Sequence, residues 1–105
     1  MEQRVKEHLC QVYGLGMDDV EELYELGCQT VQDTCGRLEG AFSRNDILEL
    51  TEASHMLKGA LFNMGLAELG EMARKLELAG KAERMEEARI MFPLLHNALK
   101  EFCRS

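Results

Sequence analysis

His55, Lys58 and Gly59 stand three and four residues apart in the stretch His55-Met56-Leu57-Lys58-Gly59, and on a helix that spacing puts all three on one face. A neutral imidazole nitrogen is a good nucleophile near pH 7, and its attack on an acyl phosphate requires no hydroxyl to be deprotonated. Lys58 would pair with phosphoryl oxygens and stabilise the charge spread over them in an in-line transfer. A glycine inside a helix costs about 1 kcal/mol relative to alanine, so Gly59 points to clearance for an approaching partner and its phosphoryl group. The set suits acceptance of a phosphoryl group on His55.

These residues need a helix whose other face is buried. From Asp46 to Met64 the positions Ile47, Leu50, Ser54, Leu57, Leu61 and Met64 advance by alternating steps of three and four, the seam of a helix packed on other helices. His55 is rotated about 100° from that seam and stands on a flank open to water, which also bears Leu48, Thr51, Glu52 and Phe62. Leu48 and Phe62 fit either the bundle core or an apolar docking patch around His55, and the patch is the expectation for at least one of them. Gly65 ends the helix, and Leu66, Leu69, Ala73 and Leu76 resume the same rhythm up to Gly80. With almost no linker between them, the two helices must form a tight antiparallel hairpin. A residue ten positions before the turn then faces the stretch around Lys75 to Glu77. Glu77, one position past the seam residue Leu76, is expected on a flank, where its carboxylate would accept a hydrogen bond from Nδ1 of His55 and leave Nε2 free.

The rest of the chain supplies further helices. Glu2 to Tyr13 carries Val5, Leu9 and Val12 at helical spacing and stops at Gly14-Leu15-Gly16, which predicts a short N-terminal lid helix. Asp18 to about Phe42 keeps the period through Val20, Leu23, Val31, Leu38 and Phe42, with Asp18 and Glu21 as an N-terminal capping pattern and Gly27 and Gly36 as local weaknesses. Ser43-Arg44-Asn45-Asp46 marks a turn that offers caps to the next helix. The last segment, about Ala82 to Cys103, shows Met85, Ala88, Phe92, Leu95, Leu99 and Phe102 in the same steps, with a kink or break expected just before Pro93.

At 105 residues the chain has the length of one domain, 1–105. Leu, Glu, Ala, Met, Lys and Arg dominate it, with one Pro and no Trp. The fold expected is all-α: an antiparallel four-helix bundle with an additional short N-terminal helix. A formal net charge of -7 and no basic stripe argue against nucleic-acid binding. No secretory leader and no membrane-length apolar run stands out, so a cytoplasmic, non-membrane protein and a monomer are expected. Cys10, Cys28, Cys35 and Cys103 lack C-x-x-C or metal-ligand spacing, and reduced thiols packed as small hydrophobes are expected.

Ala53-Ser54-His55-Met56-Leu57-Lys58-Gly59, followed by Asn63-Met64-Gly65 and then Leu66, Leu69 and Glu77, resembles the signature of histidine-containing phosphotransfer (HPt) domains. The resemblance implies phosphorylation of His55 on Nε2 by a receiver's aspartyl phosphate or by a kinase, with Lys58 and Gly59 assisting and Glu77 orienting the ring. It implies response-regulator receivers, and a hybrid histidine kinase, as partners. It also implies a carrier rather than an autonomous enzyme, with no cofactor of its own and Mg²⁺ held by the receiver. Leu61 and Phe62 depart from the small residues common in the family just after the glycine.

A lone histidine on a helix flank is ordinarily just solvated. Average residue usage, however, makes a chance H-x-L-K-G in a chain this size an event on the order of one in a thousand. A second reading is a helical scaffold that binds a receiver or kinase without transferring phosphate. A bundle metal site would need paired Glu-x-x-His motifs; Glu52-Ala53-Ser54-His55 supplies one copy and a second is missing, so no metal is expected.

Overall fold

The computed structural model describes residues 1–103, without the side chains of Glu101 and Cys103, so the expectation for the Cys103 thiol lies outside the described residues. Six helices follow one another: α1 (Glu2–Tyr13), α2 (Met17–Arg44), α3 (Ile47–Asn63), α4 (Ala67–Lys81), α5 (Met85–Ala98) and the short α6 (Lys100–Cys103). Helices α2 to α5 form the expected antiparallel bundle. α3 packs most extensively on α4, α2 lies beside α3, α5 beside α4, and α6 closes the ring against α2. At 28 residues α2 is far longer than α3 with 17, and α1 packs against it as the N-terminal lid.

The seam residues are where the periodicity puts them. Leu50, Ser54, Leu57, Leu61 and Met64 of the motif helix are buried, as are Leu66, Ala73 and Leu76, and Ala88, Phe92, Leu95, Leu99 and Phe102. Val5 and Leu9 anchor the lid, but Val12 is 58% exposed. It lies in the last turn of α1, one residue before Tyr13, which is itself half exposed.

The connections are short because the chain reverses within each turn. After α3, Gly65 takes a left-handed φ of 77°; its amide donates to the carbonyl of Phe62, and that of Leu66 donates to Leu61 over 2.9 Å. This motif satisfies carbonyls that the helix end leaves orphaned. The same pattern closes α2 through Asn45 and α4 through Glu83, both with positive φ. Asp46 then caps α3, its carboxylate accepting from the Glu49 amide at 3.1 Å.

Two local expectations need correction. α2 starts at Met17 behind Gly16, so Asp18 sits inside the first turn and complements the helix dipole with Asp19 rather than capping it. Gly27 and Gly36 lie inside α2, as the apolar period places them. Of the kink or break expected before Pro93, the break is absent at that point: α5 runs through Pro93 to Ala98, with Leu99 as its C-cap. Pro93 lies on the exposed face, so water can solvate the carbonyl its missing amide leaves unpaired. The break falls where the Leu99 amide is shared between the carbonyls of Leu95 and His96.

Candidate functional site

The α3–α4 hairpin creates the site. The two helices approach closely enough that a Cβ built on Gly80 would collide with the Thr51 side chain and one on Gly70 with the Phe62 ring. A flank position facing the seam between such helices is covered. Glu77, expected on an open flank, is therefore buried, with its side chain 4% exposed.

Around that carboxylate three donors converge. His55 Nδ1 lies 2.8 Å from Glu77 Oε2, Lys58 Nζ 2.8 Å from Oε1, and Lys81 Nζ 3.4 Å from Oε2. Burial pushes the Glu77 carboxyl up, but the hydrogen bonds from Lys58, His55 and Lys81 and the Lys58 charge outweigh it and hold it down to about 2. An ionised carboxylate only accepts, so the Nδ1 that faces it carries the proton, and in the neutral tautomer the lone pair is on Nε2. The imidazole itself is 64% exposed. The arrangement is an exposed, hydrogen-bonded imidazole beside an ammonium, backed by a buried anion.

The other singled-out residues surround it along α3. Leu48, His55 and Phe62 are spaced by two turns on one strip, roughly 10 Å between neighbours by helical rise. Leu48 is 76% exposed, and Phe62 is 39% exposed with its ring edge resting on Gly70. Met56 is also half exposed. A Cβ on Gly59 would meet nothing within 4 Å, so the surface beside His55 is bare and no internal packing demands a glycine there. Gly59 and Met56 border an apolar groove of about 600 Å³ whose far wall is Leu9, Tyr13, Leu23 and Leu26 from α1 and α2.

The fold brings two further cations to the site, Lys81 and Arg37. Lys81 is four residues after Glu77, a spacing that marks it as a partner on the same helix face. Arg37 reaches the site from α2, and no spacing along the chain announces it. Among the described residues no group of three or more His, Cys, Asp and Glu side chains is placed to hold a metal, and no helix is long and apolar enough to cross a membrane. Cys10 and Cys28 are free thiols, and Cys35 is buried in the core.

A family model, Hpt domain, matches residues 22–104, from the first turns of α2 to the end of the bundle, leaving α1 outside. No curated protein and no solved structure matches the chain at a significant level. Hpt domains are phosphocarrier modules of histidine phosphotransfer in phosphorelays, and they work with receiver domains and kinases. Since the match spans most of the chain and contains His55, Lys58, Gly59 and Glu77, this protein belongs to the Hpt domain family.

Proposed function

We propose that this chain is a phosphorelay intermediate that takes a phosphoryl group from a receiver aspartate or a kinase onto Nε2 of His55 and passes it to another receiver. The observation that carries this reading is the 2.8 Å contact from Nδ1 of the largely exposed His55 ring to the buried, ionised Glu77, which in the neutral ring favours the tautomer with its lone pair on Nε2. Nε2 attacks the phosphorus of the aspartyl phosphate, the N–P bond forms as the acyl P–O bond breaks, and the aspartate leaves as a carboxylate. The ring then holds positive charge, which Glu77 stabilises through the Nδ1 proton. Lys58 can turn from Glu77 toward the phosphoryl oxygens without leaving the site, since its side chain is a quarter exposed. Gly59 gives a receiver room beside the ring, and exposed Leu48 and Phe62 provide apolar contacts on either side of it. The receiver brings the Mg²⁺, the chain needs no cofactor of its own, and it works as a cytoplasmic monomer.

Phosphotransfer profiling tests the proposal: wild type and His55→Gln are mixed with phosphorylated receivers and the label is followed. Acid-labile, base-stable label should appear on the wild type and not on the variant, while helicity and melting stay nearly unchanged because an exposed flank residue contributes little packing. A wild-type chain that binds receivers without taking label would instead be the non-transferring scaffold. A variant that still takes label would move the site elsewhere.

A further inference from the structure

Beside His55 lies a shallow cavity of about 350 Å³ lined by Arg37, Thr51, Glu52, His55, Met56 and Glu77. It spans the exposed face of α3 from α2 on one side to α4 on the other. Lys58 stands on the α4 side, held 2.8 Å from Glu77, and does not line it. Among the lining residues Arg37 is the one fixed cation.

The guanidinium of Arg37 is unevenly satisfied. Its Nε and Nη2 grip the two oxygens of Glu49 at 2.8 Å each, and Nη2 also lies 3.6 Å from Glu52. Nη1 donates to the thioether of Met56, at 2.7 Å. A thioether sulfur is a weak acceptor, so this is the contact a charged oxygen displaces most readily. Glu49, Glu52 and Met56 form the row of α3 next to His55, and Met56 is its chain neighbour. The bidentate clasp on Glu49 fixes the guanidinium plane and leaves Nη1, on the Met56 sulfur, as the weakly held prong of the fork.

We propose that Arg37 is a phosphoryl-binding residue of the phosphorylated form: Nη1 leaves the Met56 sulfur and donates to a phosphoryl oxygen on His55, while Nε and Nη2 keep Glu49. The inference rests on the reading of His55 as the phosphoacceptor. It gives the phosphoryl group cations on two sides, Lys58 from the α4 side and Arg37 from α2. Glu52, whose side chain is three quarters exposed, turns to water as the anion arrives. Arg37 thereby reports phosphorylation to α2, the helix that carries it.

Phosphoramidate is the probe, because it needs no receiver surface. The Nε2 lone pair forms the new N–P bond, the N–P bond of phosphoramidate breaks, and its already protonated nitrogen departs as ammonia; the ring keeps its Nδ1 proton. Loading of the full chain is followed by ³¹P NMR, together with the Nε–Hε signal of Arg37 and the methyl signal of Met56, in wild type, Arg37→Lys and Arg37→Ala. In the wild type both side-chain signals should move in step with the label on His55. Arg37→Ala should load about tenfold more slowly, the worth of one charge-assisted hydrogen bond, and Arg37→Lys should recover part of the loss. If Arg37→Ala does not fold, the wild-type signals decide alone. Label on His55 with the Arg37 and Met56 signals unmoved overturns the inference and leaves Arg37 as a clamp between α2 and α3. Absence of any label on His55 in the wild type overturns the phosphoacceptor reading and this inference with it.

Discussion

Glu77→Gln changes one atom of the site and almost none of its shape, and its consequence follows from the three donors on the carboxylate. A carboxyl group held from 4.5 down to about 2 in the folded chain favours folding by on the order of 3 kcal/mol once both states are ionised. His55 and Lys81 are more than half exposed, and solvent screens their share, which lowers the expected loss to about 2 kcal/mol at pH 7. The glutamine serves both close partners only if the ring changes tautomer: its oxygen accepts from Lys58 while its amide nitrogen donates to an unprotonated His55 Nδ1, which moves the ring proton onto Nε2. Because the folded-state value lies below the unfolded one, the stabilisation is complete above about 4.5 and is lost as the pH falls toward 2. Urea unfolding of wild type and variant between pH 7 and pH 2 measures this directly. The two stabilities should differ by about 2 kcal/mol at pH 7 and converge in acid, where the wild-type carboxyl becomes protonated. Glu49 and Glu71, also held below the usual carboxylate range by hydrogen bonds from Arg37 and Arg74, titrate in both proteins and cancel in the comparison. A difference that stays constant across the whole range would refute the argument, since it would arise from packing and not from the charge.

Ser54→Ala should stabilise the bundle by about 1 kcal/mol, raising the melting temperature by roughly 4–8 °C, because the Ser54 hydroxyl is fully buried with no hydrogen-bond partner; a lower melting temperature by calorimetry would show that the hydroxyl has a role in the core. Gly59→Ala should add up to about 1 kcal/mol through helix propensity, since its Cβ meets nothing. Gly59→Gln should keep the fold and accept phosphate from phosphoramidate while losing transfer from a receiver. Equal loss with both donors would tie Gly59 to the histidine's local geometry, and unimpaired receiver transfer would place docking elsewhere.

Much of this protein is written in local patterns. Steps of three and four between apolar residues identify the helices and the face each buries, because a helix of 3.6 residues per turn returns a side chain to the same face at those intervals. Gly65 after Met64 marks the hairpin turn, since the left-handed residue that closes a helix is cheapest as glycine. The position of Glu77 opposite His55 follows from counting outward from that turn. What only the tertiary structure decides is how closely neighbouring helices approach and how they are rotated about their axes. The small residues Gly70 and Gly80 let α4 close on α3, so Glu77 is buried where the helix pattern alone makes it a surface residue. Pro93 is tolerated because its missing hydrogen bond falls on the exposed side of α5, which depends on how α5 is rotated against the core. Arg37 is 18 residues before His55 on a different helix, and the register between α2 and α3 that brings it to the site is set by the packing of side chains across the bundle. Local sequence patterns fix helices and their faces because they act within a few turns; the spacing and rotation between helices come from interdigitated packing summed over the whole core.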